Sequence, residues 1–199
     1  MTQSASRYTK TAIILHWLIG LLLLAMLAFG IWMHELPKEL KVESLDLFNW
    51  GLYTVVFSEP TSLRTFYFNL HKSIGVTLLA LIVFRVYWRL SHPAPDYPAT
   101  LKSWEKKLAD LTQKAMYLLM VAMPVSGVLM ATYSKFGIKW FGLTLIEGLD
   151  QPELRDLFKE AHEMIGMTLL ALIVLHVAAA IKHKVIDKDE VMKRMSLHG

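Results

Sequence analysis

The sequence predicts an all-α membrane protein, a four-transmembrane-helix bundle with both termini in the cytoplasm, and three observations carry that expectation. Of its 199 residues 54% are apolar and only 19% charged, a balance suited to lipid rather than water as the solvent. Charge-free stretches cover 11–33 and 164–181, each close to the ~20 residues that cross a hydrocarbon layer. Basic residues are unevenly divided between the implied loops. With the N-terminus inside, the cytoplasmic side carries thirteen Lys and Arg against six acids, and the opposite side eight against eleven. Lys and Arg bias sets orientation, so both ends belong inside.

The first helix is expected over about 11–33. Arg7 and Lys10 precede its leucine run as they would in a signal peptide, but the run continues through Phe29, Ile31, Trp32 and Met33. A cleavable apolar core is usually ~7 to 15 residues long, so this segment reads as a retained span. The external link, roughly 34–70, places Phe48, Trp50, Tyr53, Val56 and Phe57 close to helical spacing, ahead of Glu59-Pro60 and the cluster Phe66, Tyr67 and Phe68. Aromatics beside a span favour the membrane interface. The segment is therefore either an interfacial cover or a lid over an outer site.

The second helix, about 70–90, is apolar apart from Arg85 and Arg89 near its end, where long side chains snorkel to headgroups. Pro93, Pro95 and Pro98 then keep the chain extended, and Trp104 starts an amphipathic approach to the third helix at about 107–133. A second external link, roughly 134–161, leads to the fourth helix at about 160–182. Lys182, Lys184, Lys188, Lys193 and Arg194 read as a tail against anionic headgroups, so a pI near 9.2 needs no nucleic-acid partner. Residues 1–199 are expected to form one integral membrane domain.

Cysteine is absent, which removes disulfides, thiolate metal ligands, iron–sulfur clusters and covalent c-type haem attachment. His162-Glu163 is followed by Met164-Ile165-Gly166, so no helical zinc-protease motif is present, and no Gly-rich phosphate loop or nucleophile elbow occurs.

The informative residues are histidines. His162 and His176 stand fourteen apart on one helix, ~21 Å of rise and within ~40° of the same face. His16, near the cytoplasmic start of helix one, matches His176 in depth; His71, at the external start of helix two, matches His162. Two neutral imidazoles saturate a haem iron axially and favour electron transfer over oxygen binding, so the layout is that of two stacked, non-covalent b haems. A competing map would use His34, eighteen residues after His16. Its ~27 Å of rise overshoots, and it adjoins Glu35 beyond the apolar run. His34 therefore reads as interfacial, His92 and His198 as solvated, and His183 as a headgroup or propionate contact. A lone membrane histidine is also accounted for by a hydrogen bond to a neighbouring helix, but four at pairwise matched depths are harder to dismiss. Met116, Met120, Met123 and Met130 are simpler as packing or lipid-facing residues than as axial ligands.

Arg85 lies fourteen residues beyond His71, repeating the spacing on helix four, which suits either a clamp on a haem propionate or snorkelling beside Arg89. Gly20, Gly75, Gly127 and Gly166 stand near candidate ligands or Pro124, where small residues permit close approach of a helix or macrocycle.

The chain resembles the bacterial di-haem cytochrome b561 family over nearly its whole length. The resemblance is carried by Arg7-Tyr8-Thr9-Lys10 leading to His16-Trp17, His71-Lys72-Ser73-Ile74-Gly75 with Arg85 and Trp88-Arg89, Pro124-Val125-Ser126-Gly127, Phe141-Gly142, and His162-Glu163 through His176. Ile186-Asp187-Lys188-Asp189 and Met192-Lys193-Arg194-Met195 extend it. It implies a bacterial inner-membrane, multi-pass cytochrome with two b haems, held by His16 with His176 and by His71 with His162. Such a protein passes electrons between the quinone pool and an external small-molecule or protein partner, and some relatives oxidise superoxide while reducing ubiquinone. Two departures stand out: a longer first external loop, and Asp110 and Gln113 where relatives often carry histidine.

The expected function is quinone-linked transmembrane electron transfer, with superoxide oxidation coupled to ubiquinone reduction as its specific form. The alternative is a haem-bearing anchor that relays electrons for a separate dehydrogenase subunit, recognisable by co-purification with a soluble redox partner. A histidine-lined ion transporter would need a wet polar path, and the sequence between the paired histidines is almost wholly apolar. Arg64, Lys72, Lys135 and Lys139 would attract a superoxide anion, although the outer face as a whole has an acidic excess.

Overall fold

In a computed structural model of the chain, described for residues 7–37, 39–46, 54–98 and 100–197, four helices are long and apolar enough to cross a bilayer. They are α1 (Lys10–His34), α2 (Leu63–Ser91), α3 (Ser103–Tyr133) and α4 (Pro152–Lys182). Between α1 and α2 lie strands β1 (Lys41–Asp46) and β2 (Thr54–Ser62); between α3 and α4 lie β3 (Ile138–Trp140) and β4 (Leu143–Ile146). A π turn, His183–Asp187, and a 3-10 turn, Met192–Met195, follow α4. One end of the bundle thus carries Arg7 and Leu197, the first and last described residues, and the other carries both strand pairs; we call them the terminal end and the hairpin end.

Local chemistry sets the helix starts. Thr9 caps α1 by accepting from the Ala12 N–H at 3.2 Å, and its hydroxyl also accepts from the Trp88 indole at 2.9 Å, tying α1 to the far end of α2. Glu105 reaches back to the Lys102 N–H at 3.0 Å, and Pro152 occupies the first turn of α4, where its missing N–H costs nothing. The core fills the middle of the bundle: Ile19, Ile82 and Leu169 are almost fully buried, joined by Leu23, Leu78, Met120 and Ile173. Along α1, α2 and α4 these residues lie between the level of His71 and His162 and the level of His16, Arg85 and His176. Helices α3 and α4 pack along their length, whereas α1 meets α4 only sparsely.

The helices outrun their apolar segments. Helix α2 begins at Leu63 rather than near 70, α3 at Ser103 rather than 107, and α4 at Pro152 rather than 160. Hydropathy marks the hydrocarbon, and a helix continues into the polar region through residues such as Arg64, Asn69, Glu153 and Arg155 without changing conformation. The helical spacing read into the first external link is corrected for Val56 and Phe57, which lie in β2. There Leu45 pairs with Val55 and Ser44 with Val56, then the register jumps so that Val42 pairs with Thr61, looping out Phe57 to Pro60. Pro60 has no N–H for the ladder, and the β-branched Val55, Val56 and Thr61 suit a pleated surface. Phe48, Trp50, Tyr53 and His198 lie outside the described residues.

Candidate functional site

At the terminal end the structure brings His16 and His176 together, with ring centroids 6.1 Å apart and planes at 71°. At about 2 Å per metal–nitrogen bond, two imidazoles facing one ion from opposite sides have centroids roughly 6 Å apart, so the separation fits axial ligation. Trp17 lies edge-on to His16 at 5.4 Å, and its indole donates to the Met195 carbonyl at 3.0 Å. Arg7 donates to the carbonyls of Lys193 and Ser196, each at 2.9 Å, so the C-terminal turn is fastened over this end.

Arg85 points inward. Its Nη2 lies 3.3 Å from His16 Nδ1, and its guanidinium carbon sits 5.5 Å from the centroid of Tyr117. A guanidinium only donates, so in this arrangement His16 Nδ1 accepts and Nε2 carries the proton. Arg85 Nε and Nη1 are buried with no hydrogen-bond partner among the described residues. Buried cationic donors left unpaired are costly, and an anion placed against them would relieve that cost.

At the hairpin end His71 and His162 line a small, partly open cleft together with Gly75, Pro124, Gly127 and Ile138. His162 Nδ1 lies 3.0 Å from the Met123 carbonyl and 3.0 Å from Ser126 Oγ. A carbonyl only accepts, so Nδ1 holds the proton and Nε2 keeps its lone pair, the tautomer a metal requires. Ser126, itself buried, donates to the same carbonyl at 2.8 Å. Gly127 makes room for the ring: a Cβ there would stand 3.0 Å from His162 Cε1. His71 approaches Phe29 at 5.7 Å, and its Nδ1 is buried without a partner among the described residues. An unpartnered buried imidazole nitrogen and an oriented second imidazole lining the same cleft fit a haem whose iron would take both rings.

The remaining histidines stay outside both clusters. His34 is exposed and meets Phe68 edge-on at 5.8 Å, while its carbonyl accepts from Arg64 at 3.1 Å. His92, expected to be solvated, is half-buried and stacked on Trp88 at 4.1 Å. His183 does not face a cofactor level; its Nδ1 lies 2.7 Å from Asp189 and 3.1 Å from Asp187. Asp110 accepts from the Tyr97 hydroxyl at 2.7 Å, stitching the proline-rich link to α3. Burial first, and then that hydrogen bond, raises the Tyr97 phenol above its ordinary range. Among the external cations, Arg64 is engaged with the His34 and Leu36 carbonyls, whereas Lys72 lines the cleft itself and donates to the Gly137 carbonyl at 3.1 Å. Gly127 was read from the sequence as a place of close approach, and the ring of His162 is what approaches it. The roles of the Met123 carbonyl and Ser126 around His162 were not read from the sequence.

The sequence matches known proteins over nearly its whole length. The family model described as prokaryotic cytochrome b561 matches residues 7–197. The chain is 30% identical over 196 residues to cytochrome b561 homolog 2 of Escherichia coli K12, covering 98% of this chain and 93% of that protein. It is 25% identical over 191 residues to cytochrome b561 homolog 1 of the same organism, covering 96% and 97%. It is also 26% identical over 192 residues to a protein of Yersinia pestis named probable superoxide oxidase CybB, covering 95% of each.

Proposed function

The chain belongs to the prokaryotic cytochrome b561 family, multi-pass membrane proteins that bind haem b and transfer electrons, and on that premise we propose that it holds two b haems in series. His16 and His176 hold one at the terminal end, and His71 and His162 hold the other at the hairpin end. The observation that carries this is the pairing of rings from different helices at two levels, separated by the apolar layer of Ile19, Ile82 and Leu169.

Each haem, when bound, supplies a one-electron iron couple. The chain's residues do the rest. His16, His71, His162 and His176 would hold the two irons, and two imidazoles on each would leave no open site for small ligands. The Met123 carbonyl and Ser126 fix the His162 tautomer and raise the basicity of its free nitrogen. Ligation through His16 Nε2 would require the proton to sit on Nδ1, so Arg85 would then release the ring and its donors would be free to hold a propionate. The apolar layer excludes water between the two levels, so electrons cross the middle and protons do not.

In its specific form the reaction oxidises superoxide at the hairpin end and reduces ubiquinone, with both termini in the cytoplasm as the Lys and Arg distribution favours. Two superoxide anions each give up one electron and leave as dioxygen; ubiquinone takes the two electrons and two protons to become ubiquinol. Lys72, in the wall of the hairpin-end cleft, supplies positive charge where the anion arrives. The printed name of the Yersinia pestis relative supports this choice of substrate. The test is haem quantification and redox titration of the purified protein, followed by anaerobic addition of superoxide with ubiquinone. Two low-spin haems that are reduced by superoxide and reoxidised by ubiquinone are expected. One haem per chain overturns the paired sites, and haems inert to superoxide overturn the substrate.

A further inference from the structure

Strands β3 and β4 form a hairpin whose chemistry does not suit water. From Trp140 to Ile146 the chain is uncharged and mostly apolar, yet Trp140, Phe141, Leu143, Leu145 and Ile146 are all exposed. Both faces of β4 are open to the surroundings. An exposed apolar patch of this size marks contact with something other than solvent.

The hairpin's depth is fixed by hydrogen bonds to one face of α2. Lys72 donates to the Gly137 carbonyl, the Phe141 N–H donates to Ser73 Oγ at 3.0 Å, and Ser73 Oγ, whose proton has the Asn69 carbonyl at 2.8 Å, also lies 3.1 Å from the Lys139 carbonyl oxygen. Deeper still, the Trp140 indole donates to Thr77 Oγ1 at 3.0 Å. Thr77 is six residues past His71, ~9 Å further along the helix toward the bundle middle. The hairpin tip therefore lies at or below the level where the apolar segment of α2 begins. Its turn is tight. Phe141 and Gly142 both have positive φ, 46° and 94°, the signs a two-residue type I′ turn requires. A bulky residue rarely adopts that conformation, and here the strained backbone N–H is held by Ser73, which is 3% exposed. Backbone entering a bilayer must have its polar groups satisfied from within the protein, and Ser73 does this for the Phe141 amide.

We propose that the β3–β4 hairpin is a re-entrant membrane element: its tip sits in the interfacial layer of the bilayer beside α2, with Trp140, Phe141, Leu143 and Leu145 against acyl chains. The partner is lipid rather than another protein, because the hydrogen bonds place the patch in continuity with the lipid-facing surface of a spanning helix. The distribution of polar groups agrees: indole rings favour this layer, and Lys135, Lys139 and Glu147 flank the tip as snorkelling or headgroup-facing charges. The outer edge of β4 has no strand beside it among the described residues, which keeps the hairpin in the interface, where headgroups and water reach its open carbonyls and amides, and out of the hydrocarbon centre.

The chain has no cysteine, so single-cysteine variants need no background substitutions. Leu143→Cys and Leu145→Cys carry a nitroxide label, with exposed Val83→Cys as a mid-span reference and Lys41→Cys as an aqueous one. Each haem-loaded variant goes into vesicles of phosphatidylcholine and phosphatidylglycerol, and collision of the label with oxygen is compared with collision with a water-soluble nickel chelate. Native haem content in each variant establishes that it is folded. The expected result is an oxygen-to-nickel ratio at both hairpin positions several-fold above Lys41→Cys and approaching Val83→Cys. A ratio equal to the aqueous reference overturns the proposal, and labels shielded from both agents overturn it in favour of a protein partner or a second copy of the chain.

Discussion

Replacing Gly127 by alanine tests the hairpin-end site through a residue that is not itself a ligand. The added Cβ would stand 3.0 Å from His162 Cε1 and 3.3 Å from Nδ1, so the ring must move by a few tenths of an ångström. That movement loosens the two 3.0 Å contacts from Nδ1 to the Met123 carbonyl and Ser126 Oγ. Overpacking of this kind costs about 1–3 kcal/mol, which is roughly 5- to 150-fold in an equilibrium constant. Loss of an outer partner to a metal-bound histidine independently costs about 10- to 100-fold in affinity. The two estimates overlap, so the variant purified without added haem is expected to lose most of its hairpin-end haem and keep the terminal-end one. Haem per chain, read by pyridine haemochrome, and the low-spin spectrum measure this, with the second haem as internal control. Ser126→Ala, which removes one contact without steric pressure, should give a milder loss at the same end. Full occupancy in Gly127→Ala, or equal loss at both ends, would refute the reasoning.

Four further outcomes are expected. His162→Ala should remove chiefly the hairpin-end haem and His176→Ala chiefly the terminal-end one; a single variant that empties both would contradict the pairing. His34→Ala should leave two haems per chain, because His34 packs on Phe68 outside both clusters, and loss of a haem would restore it as a ligand. Arg85→Gln removes a buried cation beside His16, so the terminal-end haem should shift to a lower reduction potential and bind about 10-fold or more weakly, as loss of a charge-assisted hydrogen bond implies; an unchanged potential would place the guanidinium elsewhere in the loaded protein. Tyr97 has its phenol pKa raised by burial and by Asp110, so the folded state favours the neutral form. Its contribution to stability is complete below the ordinary tyrosine range and is lost as pH rises through and beyond it. Tyr97→Phe should flatten the fall in thermal midpoint between neutral and strongly alkaline pH, and an unaltered profile would count against the contact.

The spans and the depth of the four histidines were legible because both follow from one-dimensional quantities, hydropathy and rise per residue. Helix ends were less so. Arg64 and Asn69 continue α2, and Glu153 and Arg155 continue α4, in a polar region where hydropathy is silent about conformation. The spacing of Val56 and Phe57 suggested a helix, but Pro60 and the run Thr54-Val55-Val56 carried the opposite signal, and strand pairing with β1 decided it. The inward direction of Arg85 was one of two readings left open by spacing alone; its contact with His16 placed it inside. The Met123 carbonyl had no sequence signature at all, since every residue has one, and only the approach of α4 to the bend at Pro124 makes this one matter.

Helix α4 contributes a histidine to each pair, and the last turn of the chain is fastened to Arg7 and Trp17 at its beginning. This places an order on biogenesis. With the ligands proposed above, a nascent chain that has inserted α1, α2 and α3 owns His16 and His71 but has no second ring for either, so neither iron would be held from both sides until α4 has entered the membrane. The hairpin-end cleft is complete once α4 packs along α3. The terminal end waits longer, because its cover is made from residues 193–196, which follow α4 in the chain. With the ligands proposed above, cofactor capture would follow insertion of α4, and a chain cut short after α3 is expected to remain an apoprotein however much haem surrounds it.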